Sequence, residues 1–246
     1  MENLHIKSKQ TVSDIVRSDY RTADVFRKHN INFCCSGEVT VQEACDIRDI
    51  DYLKVLQELE DAMRTITLPN SLQFSSWKMD FLADYISNVH HAYLYSSLPN
   101  LELRLEAFIN GHKKKYPALV QLQETFLELA RVLIPHCKQE DEVIFPYIKQ
   151  IDAAYRRKEP YGNLFVRTLR KPLSCVGGIH DKISELLQEL RMNANQFNYP
   201  NQACTNHQVI YHMLREFHDD LVQHMHLENN ILYLQARKIE EELLNN

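Results

Sequence analysis

Glycine and proline are scarce, with five and eight in 246 residues. A chain of many short strands needs tight turns built on those residues, so their shortage excludes most all-β layouts and favours long helices. Long apolar runs are also missing: no stretch could span a bilayer. The first residues, Met1 to Lys7, lack the basic flank and apolar core of a secretory leader. No membrane and a cytoplasmic location are therefore expected. Positive charge is not in excess either. A net charge of -5 and a pI near 6.2 give no electrostatic reason to expect nucleic acid as a partner. Six cysteines in a chain of this length and expected location argue against a disulfide framework and for reduced thiols or metal chemistry. Cys45, Cys137, Cys175 and Cys204 sit among apolar neighbours and read as small buried hydrophobes. The adjacent pair Cys34 and Cys35 stands apart.

The apolar pattern predicts an all-α protein in two parts. Ile15 and Val16, then Ala23, Val25 and Phe26, then Tyr52, Leu53, Leu56, Leu59 and Met63 recur at helical spacing, which fits three short helices over residues 11–64. Thr40 and Glu43 form a capping-box pattern before Ala44, Cys45 and Ile47, so a helix starts there and residues 30–38 form the loop that carries the cysteines. The polar stretch from Thr65 to Ser76, with Pro69, reads as a linker. The expected domains are a small helical domain over 1–66 and a bundle over 77–246. Four longer helices are expected near 77–98, 117–150, 172–193 and 205–243, joined by segments holding Pro99 with Asn110 and Gly111, Pro160 to Gly162, and the Asn-rich 193–206. Four long helices joined this way match a four-helix bundle.

Residues 135–145, PHCKQEDEVIF, and 223–233, QHMHLENNILY, share a histidine, a glutamate four residues later, two aliphatics and an aromatic at the same offsets. Residues four apart stack on one helix face, so His136 with Glu140, and His224 with Glu228, can each present an imidazole and a carboxylate to one point. Both groups suit iron, manganese or zinc. Spacing alone is weak: with 12 histidines, roughly one such pair arises by chance at ordinary glutamate frequency. His212 with Glu216 is that pair, since His212 lies about 120° round the helix from His224. A second relation strengthens the pattern. His136 follows His91 by 45 residues and His224 follows His180 by 44. Each half then supplies one helix with a histidine and one with the histidine–glutamate pair, and two such hairpins would converge four imidazoles and two carboxylates in the bundle. Burying Glu140 and Glu228 there without a cation would be costly. A structural zinc site would want four ligands and more thiolate.

The chain resembles the iron-sulfur cluster repair di-iron proteins, which join a small cysteine domain to a hemerythrin-like bundle. The resemblance rests on ADVFRKHNINFCCSG, residues 23–37, on TVQEAC, residues 40–45, and on the stretch from Asp84 through His90 and His91 to Pro99. Pro99, eight residues on, selects His91 over His90 as the first ligand, with His90 left as the alternative. His180, followed by Asp181, fits the third ligand helix. The resemblance implies two non-haem irons, bridged by an oxo group and by two carboxylates, on His91, His136, Glu140, His180, His224 and Glu228. Some relatives carry further glutamates where this chain has Val132 and Ile179. Pro135, directly before His136, should kink or restart its helix.

Neighbouring cysteines close a disulfide only in a strained ring. Thiol chemistry at Cys34 and Cys35, favoured by a following helix N-terminus, is the expectation: metal capture, nitrosylation or exchange. The implied function is repair of iron-sulfur clusters damaged by oxidants or nitric oxide, with damaged iron-sulfur proteins as partners and a homodimer left open. The alternatives are a hemerythrin-like binder or sensor of oxygen or nitric oxide, and a nitric oxide reductase; whether the protein is an enzyme stays undecided.

Overall fold

The computed structural model describes residues 10–34, 37–63, 72–159, 162, 166, 173 and 177–245. Among them the chain is helical, and the only β-type pairing is an isolated bridge between Thr11 and Thr40. The expected all-α fold is the one formed. The chain divides into two compact units, residues 1–70 with 197–215, and residues 71–196 with 216–246. The stretch 197–215, read from sequence as bundle, groups with the first unit; Val209 is part of that unit's apolar core.

Among its described residues the first unit has four short N-terminal helices where three were expected: α1, Val12–Ser18; α2, Thr22–Lys28; α3, Val41–Asp46; and α4, Tyr52–Met63. Asp19 divides the first two. Its backbone is extended, and its carboxylate accepts from the Arg21 backbone N–H at 3.1 Å and side-chain Nε at 2.9 Å, which turns the chain before α2 starts. Capping boxes start α1 at Thr11 with Asp14 and α3 at Thr40 with Glu43. The loop before α3 is clamped to α1: Val12 N–H donates to the Val39 carbonyl, Ser13 N–H to the Gly37 carbonyl, both at 2.9 Å, and Ser13 Oγ to the Phe33 carbonyl at 2.7 Å. These bonds occupy donors that a helix N-terminus otherwise leaves open. A Cβ at Gly37 would lie 2.0 Å from Ser13 Oγ, so only glycine fits.

In the second unit, α5, Met79–Tyr85, passes through a π-turn, Ile86–His91, into α6, Ala92–His112. Next, α7, Leu119–Gln139, passes through the π-turn Glu140–Ile144 into α8, Phe145–Arg157. After it come α9, Gly177–Asn193, and α10, Thr205–Leu227, which belongs to this unit from Glu216 onward and continues through the π-turn Glu228–Leu232 into α11, Tyr233–Asn245. Helix α7 packs on α6 and α9, and α8 packs on α5 and α11. Ile86, Phe145, Ile148, Ile151, Leu232, Tyr233 and Ala236 share one core, while Leu94, Leu101, Leu129, Leu133 and Phe217 are also buried. No helix among the described residues is long and apolar enough to cross a membrane.

Two proline expectations are corrected. Helix α6 does not stop at Pro99 but runs on to His112, because Leu98, Leu101, Leu105 and Phe108 bury one face and outweigh the single missing N–H donor. Helix α7 likewise does not restart at Pro135 but runs from Leu119 to Gln139, with Leu129, Leu133 and His136 buried. The irregularity comes later, at Glu140. The helix expected to end near 150 also reaches Arg157, where Lys158 in the left-handed conformation closes it.

Candidate metal centre

Among the described residues, all three π-turns coincide with proposed ligands: one ends on His91, and the other two begin on Glu140 and Glu228. A π-turn inserts one extra residue into a helical repeat and is frequent at functional sites. Here it re-aims the side chains beside it while the apolar face downstream stays buried. The α-helical stacking used on the sequence therefore holds only up to the glutamates.

Two groups of buried side chains result. One holds His91, His224, Glu140 and Glu228; the other holds His136, His180, Glu140 and Glu228. Within each group the ligand atoms lie within 4.8 Å of one another. The geometry of the carboxylates is decisive for what the site can hold. Glu140 turns Oε1 to His136 at 3.2 Å and His180 at 3.4 Å, and Oε2 to His91 at 3.5 Å. Glu228 turns Oε1 to His224 at 2.7 Å and His91 at 3.6 Å, and Oε2 to His180 at 3.7 Å. Each carboxylate thus offers one oxygen to each group, which is how a carboxylate bridges two cations.

The donor set fits a metal on its own chemistry. His91 Nε2 faces His224 Nε2 at 3.1 Å, and His180 Nε2 faces His136 Nε2 at 2.8 Å, so basic nitrogens converge where one cation could accept both lone pairs. Glu140 and Glu228 are 0% exposed, and Oε2 of each has no hydrogen-bond donor. A buried carboxylate oxygen without a donor is costly unless a cation satisfies it. Four imidazoles and two carboxylates without thiolate suit iron.

The residues behind the ligands were missed from sequence. Asp141 Oδ1 accepts from His91 Nδ1 at 2.8 Å and from Ser87 Oγ at 2.7 Å, while its Oδ2 accepts from the Tyr95 hydroxyl at 3.0 Å. Asn229 Oδ1 accepts from His180 Nδ1 at 2.6 Å. Such bonds fix the tautomer that leaves Nε2 free for a metal. A signal was present: Asp141 and Asn229 each follow the glutamate of the repeat. The Phe145 ring stacks on His91 at 5.4 Å, and Tyr233 donates its hydroxyl to Glu140.

Titration follows from this packing. Burial alone would push the His91 pKa down, but Asp141, Cys137, Glu140 and Glu228 raise it overall. His180 is raised in the same way, with burial opposed by Glu140, Glu228 and Asn229. Burial would raise Glu140, yet His136, His180 and His91 hold it well below the usual carboxylate range.

His91, not His90, faces the cluster. His90 turns Nδ1 to Asp220 Oδ1 at 2.9 Å and stacks on the His224 ring at 5.8 Å. His212 stacks on Tyr20 within the first unit and is a member of neither group. Val132 and Ile179 are half-buried apolar side chains. Cys34 is a half-buried thiol whose backbone N–H donates to Asn32 Oδ1 at 2.9 Å; Cys35 and Cys175 lie outside the described residues. The helix after the cysteine loop, α3, has only six residues, so its dipole is short.

Residues 83–236 match the Hemerythrin HHE cation binding domain, well over half of the chain. The chain belongs to the hemerythrin family. The domain is a helical bundle, in agreement with the fold above, and its matched span covers all six cluster residues. Residues 8–63 match a second family, a Domain of Unknown function (DUF542). Among curated proteins, the chain is 25% identical over 232 residues to the iron-sulfur cluster repair protein ScdA of Staphylococcus haemolyticus, covering 93% of this chain and 98% of that one. It is 27% identical over 227 residues to the iron-sulfur cluster repair protein YtfE of Escherichia coli O157:H7, covering 92% and 96%. A probable iron-sulfur cluster repair protein of Haemophilus influenzae is 25% identical over 230 residues, covering 92% and 96%. The resemblance read from the sequence to the iron-sulfur cluster repair proteins thus extends over nearly the full length of each relative.

Proposed function

We propose that this chain is a two-iron protein that serves the repair of damaged iron-sulfur clusters, with the cluster of His91, His136, Glu140, His180, His224 and Glu228 as its metal centre. The observation that carries the reading is the pair of carboxylates, each with one oxygen toward each imidazole pair. Glu140 and Glu228, with the four histidines, would hold two iron ions, and an oxo group would complete the centre. The repair role is supported by full-length likeness to proteins named for it. Residues 1–66 and 77–246 serve as two domains in this reading, close to the two family matches.

Bound iron would supply a redox-active cation that can also be handed on. The chain's own part is to bind, orient and keep dry. Asp141 and Asn229 hold the His91 and His180 rings with Nε2 toward the centre. The buried rings of Phe145, against His91, and Tyr233, against His180, keep water from the site, which strengthens every charge interaction in it. Cys34 and Cys35 act as the thiols that meet the damaged client or a second copy of the chain.

Protein purified without added metal is expected to carry about two irons per chain by metal analysis and Mössbauer spectroscopy, and His136→Ala to lose them. Replacing both Cys34 and Cys35 by serine, with the bundle intact, should abolish cluster repair in stressed cells. Unchanged repair would favour the rival reading, a binder of oxygen or nitric oxide that needs neither thiol.

A further inference from the structure

The two halves of the centre share one sequence pattern but not the same surroundings. At the position after each glutamate, one half has Asp141 and the other Asn229. The carboxylate of Asp141 backs His91 at 2.8 Å, whereas only the neutral amide of Asn229 backs His180 at 2.6 Å. A carboxylate behind a ligating imidazole raises its basicity and tightens its hold on a metal, and such partners are commonly worth about 10–100-fold in affinity. An amide contributes orientation but no charge.

A second difference points the same way. At the last position of the repeat, Tyr233 donates its hydroxyl to Glu140 Oε1. That is the oxygen facing His136 and His180. The donated hydrogen bond draws electron density from the oxygen that would ligate there. Phe145, the counterpart in the other half, has no hydroxyl to offer; its ring stacks on His91. A third difference concerns access. An open cleft of about 520 Å³ between α9 and α10 is lined by Ser184, Gln188, Met225, His226, Asn229 and Asn230. Asn229 therefore stands between this cleft and the ligand His180.

We propose that the two metal positions are unequal, and that the His136–His180 position is the exchangeable one, releasing ferrous iron through the α9–α10 cleft while the His91–His224 position retains its own. Asp141, Asn229 and Tyr233 are positioning residues that set this order. The inference rests on the two-iron reading above and gives the irons different roles, one as cargo and the other as the ion that keeps the bundle assembled.

The test loads the full-length protein anaerobically with two ferrous ions per chain and follows their transfer to a coloured ferrous chelator. The expected result is two phases of one iron each, separated at least roughly tenfold in rate. Crystals of the half-depleted protein should keep their anomalous iron signal between His91 and His224. Asn229→Asp and Tyr233→Phe should each slow the first phase, and Asp141→Asn should speed the second toward it. A single phase, retained iron between His136 and His180, or a first phase unmoved by both Asn229→Asp and Tyr233→Phe would overturn the inference while leaving the two-iron reading intact. Uptake of fewer than two irons would overturn both. The wild-type measurements decide the matter even if a variant fails to fold.

Discussion

Loading the metal-free protein with iron at pH 7.5 is expected to expel at least about one proton, from His91. In the absence of metal, burial works to lower the His91 pKa, but Asp141, Cys137, Glu140 and Glu228 lift it above the ordinary 6.5. His180 is lifted too, by Glu140, Glu228 and Asn229 against the same burial. Both rings therefore hold a proton to higher pH than an ordinary histidine does, and each must shed it to ligate. Above pH 6.5 the position that uses His91 should gain about tenfold in iron affinity per pH unit, or about 1.4 kcal/mol, and His180 adds to the rise in the same direction. Unshifted histidines would change the affinity by only about 10% between pH 7.5 and 8.5. Anaerobic titration calorimetry in two buffers of different ionisation enthalpy counts the protons directly. No proton release, or an affinity flat across that interval, would refute the reasoning. Stability should move in the opposite sense without metal. A raised histidine stabilises the folded state fully below pH 6.5, and that contribution is lost as pH rises through the raised value. The melting temperatures of the loaded and metal-free protein should therefore draw apart as pH climbs above 6.5.

Three further outcomes follow from the packing. His91→Ala should lower the iron content measured on the purified protein, whereas His90→Asn should keep about two irons per chain, because His90 turns to Asp220 rather than into the cluster. Gly37→Ala should cost about 1–3 kcal/mol in denaturant unfolding, since its Cβ would meet Ser13 Oγ at 2.0 Å and the Phe33 carbonyl oxygen at 2.6 Å; a neutral result would mean that the α1 clamp is loose. Leu129→Ala, at a fully buried position of α7, should cost about 2–5 kcal/mol, read from the same unfolding curve.

The sequence by itself determined the fold class and four of the six cluster residues. Scarce glycine and proline with helical periodicity are local signals, and so is the repeat that pairs His136 with Glu140 and His224 with Glu228. Capping boxes at Thr40 and Thr11 are equally local, closed within three residues, and the one at Thr40 could be read directly. The rest depended on distance in space. His90 and His91 are neighbours with the same side chain, and only the π-turn ending at His91 sends one toward Glu140 and the other toward Asp220. Pro99 looked like a helix end, and Pro135 like a kink or restart, because a local rule cannot weigh one missing donor against a whole buried helix face. The unequal halves were invisible for the same reason. Asp141 and Asn229 differ by one atom type in the sequence, but their meaning comes from His91, 50 residues away, and His180, 49 away. Periodicity reports which face of a helix is apolar, while tertiary packing alone decides which polar atoms on facing helices meet.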